Sequence, residues 1–178
     1  LVAYLYGLLL SFAGSRDLGT VLFAPLRVRL WRGKFREPDL VYVRKENAGR
    51  IGEDYWDGAD LVMEVVSDDD EDRRRDLETK RREYARAGIP EYWIVDLTGA
   101  GILVYGGPQP DGTWATSETR RRGDTLSVAA LPGVAVAGSG LPPRLITLCP
   151  QSRPRTTAPA RARPAVARVA GTTSPTAH

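Results

Sequence analysis

Asp60-Leu61-Val62-Met63-Glu64-Val65-Val66 is an apolar run broken by a single internal acid, Glu64. Its apolar residues stand at consecutive positions and do not alternate, which is the pattern of a short strand covered on both faces. Such strands occupy the middle of a sheet in an α/β domain. Glu64 is the exception within it, because an ionised carboxylate in apolar surroundings must be paired, hydrogen-bonded or bound to a metal.

Downstream of this strand, Ser67 with Asp70 three residues on outlines a capping box. The acids of Asp68–Asp72 suit the positive end of a helix, predicted from about Asp69 to Ala87 with Gly88 as its stop. Tyr92–Val95 and Ile102–Tyr105, around the turn Gly99-Ala100-Gly101, read as a β-hairpin, and Trp114–Glu118 and Leu126–Ala130 as further short strands. Upstream, Leu40–Val43 after Pro38-Asp39 reads as a second central strand. Leu26, Val28 and Leu30 alternate with Arg27 and Arg29, the period of a half-buried strand.

The opening run Leu1–Ala13 is apolar except for Ser11. It falls well short of the ~20 residues of a membrane helix and predicts a buried helix ending near Gly14. It also lacks a basic leader region, so a cytoplasmic protein without membrane attachment is expected. From Pro150 onward the composition changes to Arg, Pro, Ala, Thr and Ser with almost no large apolar residue. The reading is one domain over 1–149 and a disordered tail over 150–178.

The formal net charge of +3 divides unevenly along the 178 residues. Five arginines (Arg153, Arg155, Arg161, Arg163, Arg168) and no acid lie in 151–178, leaving 20 basic against 22 acidic residues, a net of −2, in 1–150. The bulk charge of the domain therefore gives no argument for a polyanionic partner. One cysteine, Cys149, and one histidine, His178, exclude an internal disulfide, a Cys/His zinc site and a Ser-His-Asp triad. Carboxylates, lysine, tyrosine and hydroxyls remain, and carboxylates favour a hard cation such as Mg²⁺ or Mn²⁺.

Each candidate residue has an ordinary reading beside the chemical one. Glu64 can meet an arginine or face solvent; Asp39 can belong to a Pro-Asp turn. Lys80, with Asp76 and Tyr84 four residues to either side on one helical face, can be a surface acid-to-lysine pair.

Taken together, Pro38-Asp39-Leu40-Val41, Gly58-Ala59-Asp60-Leu61-Val62-Met63-Glu64-Val65-Val66-Ser67 and Asp76-x3-Lys80-x3-Tyr84-Ala85-x-Ala87-Gly88-Ile89-Pro90-Glu91-Tyr92-Trp93-Ile94-Val95-Asp96 resemble the Uma2 family, also called DUF820. The resemblance spans roughly residues 1–135. It implies the PD-(D/E)XK restriction-endonuclease-like fold, a mixed α/β central sheet flanked by helices, here N-terminally truncated since the chain starts inside the first helix. The implied activity is divalent-metal-dependent hydrolysis of DNA phosphodiester bonds.

Carried over residue by residue, the resemblance puts Asp39 at the PD aspartate and Glu64 at the acid of the second half-motif, both as metal ligands. The Val65 backbone carbonyl stands as a third. Val66 occupies the place of the lysine expected two residues after the acid, and Lys80 is the matching replacement. The implied catalytic set is thus Asp39, Glu64 and Lys80, with Mg²⁺ or Mn²⁺ as cofactor, DNA as partner and a homodimer as the assembly. The competing expectation is a catalytically inactive nucleic-acid-binding or dimerisation module on the same fold. A small-molecule hydrolase is disfavoured by the lack of a nucleophile-base pair.

Overall fold

The structure is a computed structural model that describes residues 1–66, 73–96, 101–121, 124–133 and 135–137. All of these lie in one compact unit, Leu1–Leu148. The tail expected over 150–178, the capping residues Ser67 and Asp70, and most of the Gly99-Ala100-Gly101 turn lie outside the described residues.

A six-stranded sheet, in the order β1-β4-β6-β7-β8-β9, forms the centre. It comprises β1 (Gly19–Phe23), β4 (Leu40–Arg44), β6 (Leu61–Val65), β7 (Glu91–Asp96), β8 (Gly101–Pro108) and β9 (Trp114–Arg120). β6 and β7 pair in parallel, whereas β1–β4, β4–β6, β7–β8 and β8–β9 are antiparallel. The sheet is mixed, as the sequence predicts. A parallel pair needs a crossover, and the segment between β6 and β7 supplies it.

That crossover carries a π-helical turn, Arg75–Lys80, leading into α2, Arg81–Arg86. It stops at Gly88, whose φ of +72° lets the chain reverse at little steric cost. Ile89 N–H bonds back to the Tyr84 carbonyl and Gly88 N–H to that of Ala85, the paired bonds of a Schellman motif. The predicted end is therefore right; its start lies outside the described residues, and from Arg73 onward the uniform α-helix is corrected to α-helical Arg73-Arg74, a π-helical turn and a short α-helix.

The two faces of the sheet are buried differently. Helix α1 (Val2–Ser15) sets Leu5, Leu9 and Ala13 against Leu40, Tyr42, Leu61, Met63, Trp93 and Val95. The opposite face packs Val41, Val62, Tyr92 and Ile94 with Tyr84 and Ile89 from the crossover. Alternate residues of β4 and β6 thus enter opposite cores, which accounts for the continuous apolar run. The burial of Leu5, Leu9 and Ala13 at helical spacing matches the helix expected from the opening run.

Beside the main sheet, β2 (Val28–Trp31) pairs with β3 (Lys34–Arg36) antiparallel and with β5 (Trp56–Asp57) in parallel. A 3₁₀ turn, Lys45–Arg50, follows β4, and β10 (Thr125–Ser127) pairs with β11 (Ala135–Ala137). The strand predicted for Leu126–Ala130 ends at Ser127, because Ala130 N–H donates to buried Glu91 Oε2 at 2.6 Å and Leu131 N–H closes a turn on Val128. No helix among the described residues is long and apolar enough to cross a membrane.

Candidate active site

The antiparallel register of β4 with β6 pairs Leu40 with Met63 and Val41 with Val62. Continued one step, that register would bring Asp39, a bend residue just before β4, level with Glu64. Directly opposed residues project from the same face, here the one that Val41 and Val62 share with the crossover. Asp39 is half-buried, and its Oδ2 accepts the N–H of Val65 at 2.7 Å. The carboxylate thereby ties the end of β6 to the start of β4.

Glu64 is 2% exposed, on the face that Tyr84 covers. Its Oε1 accepts a hydrogen bond from the Tyr84 hydroxyl at 2.7 Å, and its Oε2 lies 2.9 Å from Lys80 Nζ. Lys80 Nζ also lies 2.7 Å from Asp76 Oδ1. That approach is outside hydrogen-bonding direction, so Asp76 Oδ1 is a buried oxygen with an ionic neighbour but no donor aimed at it. The Tyr92 hydroxyl donates to the Asp76 backbone carbonyl at 3.1 Å and fastens the π-helical turn to β7. π-helical turns are frequent at functional sites.

Asp76, Lys80 and Tyr84 therefore line one inward stripe, in keeping with their four-residue spacing. The ordinary reading of Lys80 as a surface pair is overturned: its side chain is 11% exposed and it bridges two buried acids. The cation paired with Glu64 is Lys80.

Burial dominates the electrostatics. It pushes the Glu64 carboxyl up to about 7, against the downward pull of Lys80 and the Tyr84 hydrogen bond, with Asp76 adding repulsion. Burial also lowers Lys80, but the attraction of Glu64 and Asp76 outweighs it and leaves the ammonium above its ordinary value. Tyr84 is raised well above a normal phenol, first by burial and then by the Glu64 charge. At neutral pH the lysine is charged and the tyrosine is a neutral donor. Glu64 is the group whose proton is readily exchanged.

Lys80 faces outward as well. With Phe35, Arg36, Glu37 and Arg75 it lines an open cleft of about 290 Å³. Glu64 lies behind it, so Lys80 is the link between the buried acid and the cleft. Arg36 Nε donates to Glu83 Oε2 at 2.6 Å, and Lys34 Nζ reaches Glu83 Oε1 at the same distance, so α2 holds the β3 cations beside the cleft. At the far end of β7, fully buried Asp96 pairs with Arg73, at the entry to the crossover.

No three His, Cys, Asp or Glu side chains converge into a metal cluster among the described residues. A magnesium-type ion nevertheless commonly uses only one or two carboxylates and takes its other oxygens from water and substrate phosphate. Asp39, Glu64 and one backbone oxygen fit that donor chemistry. In an extended strand a residue's N–H and C=O point to the same edge. Since Val65 N–H points to Asp39, the Val65 carbonyl is directed to the Asp39 side as well.

Sequence reasoning did not single out Tyr92, Arg36 or the Arg73–Asp96 pair. Their partners come from other elements, and nothing in the local spacing signals them. Tyr84 and Asp76 were visible as the i±4 neighbours of Lys80, without a role assigned to either.

Comparison with solved structures finds a crystal structure from Anabaena variabilis, described as a "putative nuclease belonging to DUF820", with a TM-score of 0.61 at 13% identity. The match covers 78% of this chain and 75% of that one, a likeness of fold alone. No curated protein matches the sequence. The family model Uma2, described as "Putative restriction endonuclease", matches residues 1–141. With the mixed sheet, the neighbouring fold and a family match over most of its length, this chain belongs to the Uma2 family of restriction-endonuclease-like proteins.

Proposed function

We propose that the protein hydrolyses DNA phosphodiester bonds with a divalent cation, Mg²⁺ or Mn²⁺, held by Asp39, Glu64 and the Val65 carbonyl. The observation that carries this reading is the Glu64–Lys80 contact, which joins a buried carboxylate of raised pKa to a lysine lining an open cleft. Strongly perturbed groups beside a cleft are candidates for chemistry. When bound, the cation would supply an activated water and neutralise charge on the reacting phosphate.

The chain's own residues would do the rest. Asp39 fixes the end of β6 through Val65 N–H and presents its other oxygen. Tyr84 holds one oxygen of Glu64 and so orients the other. Lys80, charged and clamped by Asp76, would carry positive charge to a phosphate in the cleft and stabilise the extra charge of the transition state. This role differs from that of a ligand, so it is lost without loss of metal binding.

A second reading, a binding module without catalysis, draws on one observation: both oxygens of Glu64 are already engaged, by Lys80 and by Tyr84. Plasmid nicking separates the two. Mn²⁺-dependent conversion of supercoiled to open-circular DNA, abolished in Lys80→Ala, supports the enzyme. Binding of DNA with no nicking at any metal concentration supports the module.

A further inference from the structure

The near-neutral bulk charge of the domain conceals a local concentration. Arg27, Arg29, Arg32, Lys34 and Arg36 fall within ten consecutive positions that contain no acid. They lie on β2, on β3 and in their flanking turns. Two acids from elsewhere answer them: Asp57 takes Arg29, and Glu83 takes both Lys34 and Arg36. With Glu37, which follows Arg36 and lines the cleft, three acids stand against the five cations and leave an excess of two. Arg32 is exposed at the hairpin turn and makes no ion pair with any described residue, and exposed Arg27 lies over the Phe35 ring, 4.3 Å from its centre.

Aromatic surface is interleaved with this charge. Trp31 is 43% exposed, and it stands opposite Lys34 in the strand register, with Lys34 Nζ 6.0 Å from its ring centre. Lys34 and Arg36, two residues apart on β3, share a side and both reach Glu83. Arg36 then lines the cleft that contains Lys80. An exposed indole, two cations and the candidate catalytic lysine thus follow one another along a single path.

We propose that the β2–β3 hairpin is a binding arm for a single-stranded segment of nucleic acid, with Trp31 stacking on an unpaired base and Arg32, Lys34 and Arg36 holding backbone phosphates on the way to Lys80. The proposal deepens the nuclease reading and rests on it for the direction of the path. Cationic tracks combined with exposed rings are how proteins hold single strands without reading sequence, since every base has a face to stack on and every linkage a charge. A duplex keeps its bases stacked on one another and would use the arginines but not the indole.

The test is fluorescence anisotropy with a labelled oligothymidylate and, separately, a blunt duplex, in Ca²⁺, alongside Mn²⁺ calorimetry on the same preparations. Trp31→Ala is expected to weaken oligothymidylate binding about tenfold, with Trp31→Phe restoring most of it and duplex binding little changed. Arg32→Ala is expected to lower the slope of log affinity against log salt by about one. Mn²⁺ binding should be the same in all three variants. Undiminished oligothymidylate binding by Trp31→Ala would overturn the proposal, and so would an equal loss on the duplex, which would point to a ribbon that reads a groove. Wild-type protein that binds Mn²⁺ but no oligonucleotide overturns the arm and leaves the metal reading standing. Oligonucleotide binding that depends on Trp31, in protein that takes up no Mn²⁺, supports the arm and removes the metal-dependent reading.

Discussion

Lys80 Nζ lies 2.9 Å from Glu64 Oε2, although one residue stands on a central strand and the other on the π-helical turn of the crossover. The contact is buried on both sides and shared with Asp76, so a single ammonium balances two carboxylates. Such a cluster has two properties at once. It resists the loss of its cation, because two like charges would be left in a low-dielectric setting. Once Glu64 is ionised it also invites a second cation, because two carboxylates then face one ammonium.

Replacement of Lys80 should therefore act on stability and chemistry in different directions. Lys80→Ala is expected to lower the stability of the metal-free protein by about 3–5 kcal/mol, the usual consequence of stripping one partner from a buried pair. Mn²⁺ affinity should be retained or increased, since a competing positive charge has gone, while plasmid cleavage is lost. Chemical denaturation with and without Mn²⁺ checks both, and the metal should recover part of the lost stability.

The Tyr84 hydroxyl makes a hydrogen bond to a carboxylate that little solvent reaches. Tyr84→Phe removes one donor, leaves the ring packing intact and should cost about 1.5–3 kcal/mol at a pH where Glu64 is ionised. It should also raise the Glu64 pKa further, since the lost bond favours the charged form. A pH series of urea midpoints for the two proteins would reveal both effects; coincident curves would show that the bond carries no weight.

Glu64 also sets a pH dependence whose sign is fixed by its shift. Its folded-state value, about 7, exceeds the ordinary 4.5, so its contribution to stability is fully present below 4.5 and is lost as pH rises through about 7. Metal binding needs the ionised form and should strengthen over the same rise, with release of a proton. Calorimetry in two buffers of different ionisation enthalpy measures that proton directly. Glu64→Gln should flatten this part of the stability profile; an unchanged profile would assign the titration to another group.

How much of this was legible beforehand follows from where each signal resides. Glu64 declared itself because a charge inside Leu61–Val66 needs compensation whatever surrounds it. Asp76, Lys80 and Tyr84 were legible through a spacing that keeps them on one helical face. The π-helical turn was not, because its register is set by tertiary bonds such as that from the Tyr92 hydroxyl to the Asp76 carbonyl. β5 was invisible for a simpler reason: two residues carry no periodicity. β3 is only three residues long, and β1 lies at the edge of the sheet. The pairing of Asp96 with Arg73 joins a strand end to a helix entry and leaves no trace in either local pattern.

The most direct measurement is Mn²⁺ titration calorimetry on wild-type protein, Asp39→Asn and Glu64→Gln, each shown by circular dichroism to be folded. Binding by the wild type and loss of binding in both variants is the result the account predicts, since Asp39 Oδ2 receives the N–H of Val65, the residue after Glu64, and both carboxylates thus meet at the end of β6. Wild-type protein that takes up no Mn²⁺, or variants that bind it as tightly as the wild type does, would contradict the claim that Asp39 and Glu64 hold the metal.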